Sequence, residues 1–289
     1  MEIIKDRINR LRSVIDREKL DAFYISGTDP HMSEYLPDRW KTREFITGFT
    51  GSYGEVIITK NEAYLWTDTR YFIQAEEQLL GTGIKMQKLR VPGAITFDDW
   101  LIQNLKQGDR VGINTKCLPY NTYKNLKRKL DNVDLEIVLC DDLLDEIWED
   151  RPTIPKTEVF ELDVKYAGFS RSDKFKKITN ELDSKDADFQ VISALDDLAW
   201  TFNLRGSDIS FNPVFVSFAV VGKNKKALFI DSEKIPSLLS ERFKKEGIEI
   251  FPYNSFYNYL KNQSDKKIYI DTSFTNTAVV RALQNNNEI

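Results

Sequence analysis

The chain contains a single histidine, His31, and this limits the chemistry that its side chains can support. Histidine is the commonest metal ligand in proteins and the usual general base near neutral pH. One histidine excludes a histidine-rich zinc site and a Cys/His finger. A Ser-His-Asp triad would have to use His31, and no Gly-x-Ser-x-Gly tract accompanies it. We therefore predict no histidine-based metal site and no catalytic triad in this sequence.

Carboxylates are the other group that could act in catalysis. Six of them lie close together near the middle of the chain: Asp141, Asp142, Asp145, Glu146, Glu149 and Asp150. A pair of metals can be bridged by carboxylates alone, but a short acidic run at helical spacing is typical of a solvated helix face. Glycosidases need two carboxylates on separate elements, and no tract singles out such a pair. We interpret the run as an acidic surface helix.

Charged residues also follow or precede predicted strands in the first half of the chain. Asp68 and Arg70 come directly after the apolar run at 64–67, and Arg43 precedes a glycine-rich stretch. Ligands of α/β domains are held at strand ends, and arginine is suited to carboxylates. A structural alternative stays open, in which Asp68 caps the next helix and Arg70 pairs with Asp68 or Glu44.

In the second half, Arg205 and Asp208 follow a predicted helix that Gly206 would end. They either form a buried pair or face another part of the protein. The neighbouring Leu198, Trp200 and Phe202 are expected in the core, and a strand is expected over 214–218.

Periodicity predicts two α/β domains with the same order of elements. Ile4, Ile8, Leu11 and Ile15 form the apolar stripe of a first helix, and 56–59 with 64–67 form a β-hairpin. The order helix, strand, hairpin, helix, strand returns after residue 170, where Ser170 and Asp173 resemble a capping box. This predicts an internal duplication.

The predicted boundaries are a first domain at 1–150, a proline-punctuated linker at 151–158 and a second domain at 159–289. A strand equivalent to the one predicted near Leu135 would only be starting at Glu288. Either the chain is part of a longer protein, which we expect, or this edge strand has been lost.

Composition favours a soluble cytoplasmic protein. The net charge is −4, which offers no basic excess for nucleic acid. No apolar run is long enough to span a bilayer, and the charged N-terminus is unlike a signal peptide. Two cysteines make no disulfide framework.

Four tracts together indicate a family: HMSEYL, REFITGFTGS, LWTDTRYFIQAEEQ and DDLAWTFNLRGSDISFNPVF. With them the chain resembles the N-terminal half of cytosolic-type Xaa-Pro aminopeptidases (aminopeptidase P) in the creatinase/prolidase group. The family usually has Gly where Thr69 stands. The resemblance implies two tandem creatinase N-terminal-like domains with a ribonuclease H-like fold, each a mixed β-sheet flanked by helices.

The resemblance further implies a function for a longer protein. A third, pita-bread catalytic domain, absent here, would hold two divalent metals, commonly manganese, and release the N-terminal residue from short peptides with proline at position two. This fragment alone should be inactive. It would shape the active-site entrance and contribute to contacts in a possible homodimer.

Glu34, with Tyr35 beside it, is the candidate that the resemblance favours most for this entrance, followed by His31. Arg43, Asp68, Arg70 and Arg205 complete the set of substrate-entrance candidates. The alternative is a stand-alone protein-binding module of the creatinase fold.

Overall fold

The computed structural model describes all 289 residues, which divide into two units. Unit 1 comprises Met1–Asp29 and Asp38–Pro152, and unit 2 comprises Pro30–Pro37 and Thr153–Ile289. The boundary between the long segments falls inside the predicted linker at 151–158. The short segment Pro30–Pro37 belongs to unit 2, which no pattern in the sequence indicated.

Unit 1 is a mixed six-stranded sheet with the strand order β4-β3-β2-β1-β5-β6. Its strands are β1 (Ala22–Ile25), β2 (Glu55–Thr59), β3 (Ala63–Thr67), β4 (Lys85–Lys88), β5 (Arg110–Asn114) and β6 (Glu136–Cys140). Its helices are α1 (Glu2–Arg17), α2 (Thr42–Thr47), α3 (Phe72–Leu79), α4 (Phe97–Asn104) and α5 (Tyr120–Asp131), with 3-10 turns at Asp38–Trp40, Thr115–Cys117 and Leu143–Glu146. The strands β1 and β5, β5 and β6, and β3 and β4 run parallel.

Two apolar clusters cover the two faces of this sheet because successive strand residues point to opposite sides. Phe23 and Ile25 belong to the cluster that contains the buried stripe of α1. Ala22 and Tyr24 belong to the cluster formed with α4 and α5. The predicted first helix and the β-hairpin of β2 and β3 are confirmed.

The predicted acidic helix at 141–150 is wrong. Only a 3-10 turn forms, at Leu143–Glu146, and the side chain of Asp142 accepts a hydrogen bond from the backbone N–H of Leu144. The carboxylates of Asp142 and Asp145 both pair with Arg151, whose side chain is buried. These charged contacts stabilise an irregular segment, and the acidic run is therefore no helix face.

Unit 2 contains a five-stranded sheet with the order β12-β11-β10-β8-β13 and a separate two-stranded ladder of β7 and β9. The strands are β7 (Phe160–Glu161), β8 (Phe189–Ile192), β9 (Leu204–Arg205), β10 (Phe218–Gly222), β11 (Lys225–Phe229), β12 (Glu249–Phe251) and β13 (Ile268–Tyr269). The helices are α6 (Val164–Ala167), α7 (Arg171–Ser184), α8 (Leu195–Phe202), α9 (Ser237–Lys245), α10 (Phe256–Lys261) and α11 (Thr277–Leu283), with 3-10 turns at Ser232–Lys234 and Tyr253–Ser255.

The two sheets share their strand order, as the predicted duplication requires. Strands β12, β11, β10, β8 and β13 occupy the places of β4, β3, β2, β1 and β5. Glu288 forms a parallel bridge with Lys267, at the place where β6 pairs with β5 in unit 1. The capping box of Ser170 and Asp173 at the start of α7 is confirmed.

Three expectations for the segment after residue 195 are corrected. Helix α8 ends at Phe202, and Asn203 rather than Gly206 takes the left-handed conformation at φ 50°. The strand predicted from residue 214 begins only at Phe218, although 214–217 is buried. Trp200 is 42% exposed and is not a core residue. Its position on the outer side of the amphipathic α8 accounts for this, because the buried Leu198 and Phe202 occupy the inner side.

Candidate functional site

The carboxyl end of β3 in unit 1 holds a paired aspartate and arginine. The Asp68 side chain is fully buried, and its two oxygens accept hydrogen bonds from Arg70 Nε at 3.0 Å and Nη2 at 3.0 Å. Asp68 Oδ1 also accepts from the Arg70 backbone N–H at 3.1 Å. The Arg70 hydrogen bonds lower the pKa of Asp68. Asp68 is thus no helix cap, and α3 begins after Tyr71 without a side-chain cap.

A second arginine, missed in the sequence, joins this pair. Arg90 Nη1 lies 3.5 Å from Asp68 Oδ2, and its guanidinium lies 5.7 Å from the centre of the Tyr53 ring. The Arg70 guanidinium lies 5.8 Å from the same ring. Because β3 and β4 run parallel, Asp68 and Arg90 both lie just beyond the carboxyl ends of these strands. Only this register, which the sequence does not show, brings Arg90 to Asp68.

Glu55 is a second carboxylate that sequence analysis missed at the same edge of the sheet. It begins β2 beside Trp66 at the end of β3, and its Oε1 accepts a hydrogen bond from Tyr24 OH at 2.7 Å. Burial raises the pKa of Glu55 to about 7, against the opposing effect of the Tyr24 hydrogen bond. The sequence signal that could have indicated Glu55 is its position directly before the β-branched run at 56–59. At neutral pH this carboxyl group can hold or release a proton.

Arg43 supports the glycine-rich segment of unit 1 from inside. Its guanidinium donates to the carbonyl oxygens of Gly27 at 3.4 Å, Gly54 at 3.0 Å and Gly51. The residue is buried, its Nε has no partner, and burial lowers its pKa to about 10. A Cβ at Gly54 would lie 2.8 Å from the carbonyl oxygen of Trp66, so the close approach needs glycine.

His31 is buried in unit 2, where both ring nitrogens are bonded. Nδ1 lies 2.9 Å from the carbonyl oxygen of Ser193, and Nε2 lies 2.9 Å from Tyr253 OH. A carbonyl oxygen only accepts, so Nδ1 carries the proton. The ring also packs on Phe218, with centres 4.3 Å apart. The carbonyl oxygen of the adjacent Pro30 accepts from Asn276 at 2.7 Å.

The segment that His31 holds presents Glu34 and Tyr35 to solvent. Both are exposed, Tyr35 at 56%. Glu34 makes no hydrogen bond or ion pair within the chain, so its carboxylate is available to a cationic group. Met32 adopts φ 60° in this segment, which fixes the turn between the buried His31 and the exposed pair.

Arg205 and Asp208 do not form a pair. Arg205 Nη1 donates to the carbonyl oxygens of Ala199 at 2.9 Å and Leu204 at 2.8 Å. Asp208 instead forms a buried ion pair with Lys234, in which the two side chains are 0% and 1% exposed. Arg205 thus has no carboxylate partner.

No set of side chains here fits a metal ion. The described residues contain no group of three or more His, Cys, Asp or Glu placed to bind one. Both cysteines, Cys117 and Cys140, are free thiols. None of the helices combines the length and apolar character needed to cross a bilayer.

Two models of the creatinase/prolidase N-terminal domain match the chain, one over residues 7–147 and the other over 150–289. The chain belongs to the creatinase/prolidase N-terminal domain family. The two matched creatinase-type domains correspond to the two related sheets described above, and the predicted fold class is confirmed.

Relatives of these creatinase-type domains are Xaa-Pro aminopeptidases. Xaa-Pro aminopeptidase 1 of Dictyostelium discoideum is 39% identical over 93% of the chain, and aminopeptidase P2 of Arabidopsis thaliana is 33% identical over 96%. The chain spans 44% and 40% of the lengths of these two proteins. The resemblance to Xaa-Pro aminopeptidases is thereby confirmed.

A crystal structure supports the same relationship. X-prolyl aminopeptidase from Caenorhabditis elegans, described as a cytosolic enzyme with a di-nuclear active site, superposes with a TM-score of 0.93 at 32% identity. The superposition covers 98% of this chain and 49% of that protein.

Proposed function

We propose that this chain is the N-terminal, non-catalytic part of a metal-dependent Xaa-Pro aminopeptidase, which removes the first residue from peptides with proline at position two. The main support is the superposition of 98% of the chain on X-prolyl aminopeptidase of C. elegans, of which it covers 49%. Similarity at 39% identity to a second Xaa-Pro aminopeptidase, over less than half of that protein, agrees with this.

The proposed chemistry lies outside this chain. Two divalent metals, which we propose to be manganese, would activate water or polarise the scissile carbonyl in the catalytic part. The residues described here do not fit such a site, so we derive no catalytic step for them. Their role is to bind and position substrate and to contribute to contacts in a homodimer. A cytoplasmic location is part of the same proposal and is supported by the cytosolic C. elegans enzyme.

The substrate-entrance candidates differ in solvent exposure and in the hydrogen-bond partners of their side chains. Glu34 and Tyr35 are exposed, and a carboxylate there suits the free ammonium group of a peptide. Arg70 is half exposed on the buried Asp68, and Arg205 has no carboxylate partner. His31 and Arg43 are buried against backbone carbonyl groups, so we propose that they hold loops in place.

The proposal is tested with two proteins: the 289-residue chain and the native product of its gene. Each is incubated with manganese and an Xaa-Pro peptide, and release of the first residue is measured. We expect release by a longer native product and none by the chain alone. Release by the 289-residue chain would contradict the non-catalytic role. A native product that ends at Ile289 and releases nothing would favour the binding-module alternative.

A further inference from the structure

Two guanidinium groups share one buried carboxylate at the carboxyl ends of β3 and β4. Arg70 binds Asp68 through two nitrogens, and Arg90 approaches the same carboxylate to 3.5 Å. Two guanidinium groups therefore lie at this one carboxylate. The next carboxylate at this edge, Glu55, is bonded to Tyr24, and its pKa is raised to about 7. Arg90, whose guanidinium donates no hydrogen bond within the chain, is the group of this cluster that can receive an anion.

Arg90 is the less constrained of the two arginines. Its side chain is 68% exposed and donates no hydrogen bond within the chain, and its guanidinium lies near the Asp68 carboxylate and the Tyr53 ring. Its backbone lies at φ 59°, a left-handed conformation that costs about 1 kcal/mol or more for a residue other than glycine. A left-handed backbone thus places an arginine without hydrogen bonds beside the Tyr53 ring.

Tyr53 lies with its ring beside both arginines. Its ring lies within 5.8 Å of each guanidinium, and its carbonyl oxygen accepts a hydrogen bond from the Thr67 hydroxyl at 2.8 Å. The planar guanidinium fork matches the two oxygens of a carboxylate. The position agrees with the general placement of ligands beyond the carboxyl ends of strands in α/β sheets.

We propose that Arg90, together with Arg70 and Tyr53, binds the terminal carboxylate of a short peptide. This inference rests on the proposed function, because that function supplies short peptides as ligands. A singly charged carboxylate fits the cluster better than a phosphate dianion, since Asp68 lies directly behind the two arginines and repels a second negative charge. Arg90 is thus a residue that would set the preference for free-acid peptides.

The test measures binding to the 289-residue chain by NMR, following the arginine Nε–Hε resonances during titration. The probes are Ala-Pro-Ala as free acid, its C-terminal amide, Ala-Pro-Glu as C-terminal amide, and inorganic phosphate. We expect the free acid to bind about tenfold more tightly than its amide, because the amide loses a charge-assisted pair. Arg90→Gln should weaken binding of the free acid about tenfold and leave the amide unchanged.

Arg128→Gln is the matched control, because Arg128 is an exposed arginine of α5 without an ion-pair partner. It should bind every probe as the unaltered chain does. Equal affinity for acid and amide, no detectable binding of the acid, or an unchanged Arg90→Gln variant would overturn the proposal. Tighter binding of phosphate, or equal binding of the glutamate side chain, would overturn the assignment to a terminal carboxylate. Since the assay needs no metal, its failure is distinguishable from a failure of the peptidase proposal.

Discussion

Removing the charge of Lys234 should destabilise unit 2 strongly. The Lys234 Nζ donates to Asp208 Oδ2, which also accepts from the backbone N–H of Val216 at 2.6 Å. Asp208 Oδ1 accepts from the Thr157 hydroxyl. In Lys234→Met the carboxylate keeps these two neutral donors but stays buried without a positive partner. Breaking a buried ion pair from one side costs about 3–5 kcal/mol.

The assay must report on unit 2 alone, because a chain with two units need not unfold in one step. Hydrogen exchange followed by mass spectrometry of the β10 peptide meets this need. A loss of about 3 kcal/mol raises the exchange rate of its slowest amides by about 100-fold. Lys234→Met with Asp208→Asn should recover much of the loss, since the asparagine oxygen can still accept from Val216.

Lys223→Met is the matched control. Lys223 pairs with Asp183 at 2.6 Å, but both side chains are about half exposed. Such a surface pair contributes about 0–1 kcal/mol, so exchange in β10 should change less than about fivefold. If Lys234→Met behaves like this control, the inference that the buried pair stabilises unit 2 is refuted.

Two further predictions concern titratable groups that are partly or fully buried. The folded-state pKa of Glu55 lies above its ordinary value, so the folded state binds more protons than the unfolded state between pH 4.5 and about 7. The free energy of unfolding of unit 1 should therefore fall by up to about 3 kcal/mol as the pH rises through this window, and Glu55→Gln should remove this contribution. Hydrogen exchange of the β2 peptide, compared between the unaltered chain and Glu55→Gln at each pH, measures it, and an equal pH profile for the two proteins would contradict the raised pKa. His31→Phe keeps the ring against Phe218 but loses both ring-nitrogen bonds, and it should destabilise unit 2 by about 1–3 kcal/mol in hydrogen exchange of β8. Glu34→Gln, an exposed neighbour, is the control, and equal exchange in both variants would show that the His31 bonds contribute nothing.

The features predicted correctly from the sequence depend on residues close together in the chain. The apolar stripe of α1 needs spacings of three and four, and the hairpin of β2 and β3 needs two β-branched or aromatic runs with a short break. The capping box joins Ser170 to Asp173, three residues later. Even the fold class followed from such local patterns, because their order repeats in the two units.

The wrong expectations concern segments in which a charged partner elsewhere in the fold outweighs the local helix or capping propensity. Asp68 had the residue type of a helix cap, but the Arg70 side chain and Arg90 engage its carboxylate. The acidic run had helical spacing, but Arg151 binds Asp142 and Asp145. In each case a charge-assisted contact replaces the local structure that propensity alone favours.

The sequence by itself determined the periodic helices, the hairpins, the order of the elements along the chain and the resemblance to a family, since these follow from periodicity and from contiguous tracts. Only the tertiary structure decided which charged and polar groups meet. His31 finds Tyr253 222 residues away, and Asp208 finds Lys234 rather than Arg205. Burial removes water as a competing partner, so the three-dimensional neighbours of a polar group determine both its hydrogen bonds and its pKa.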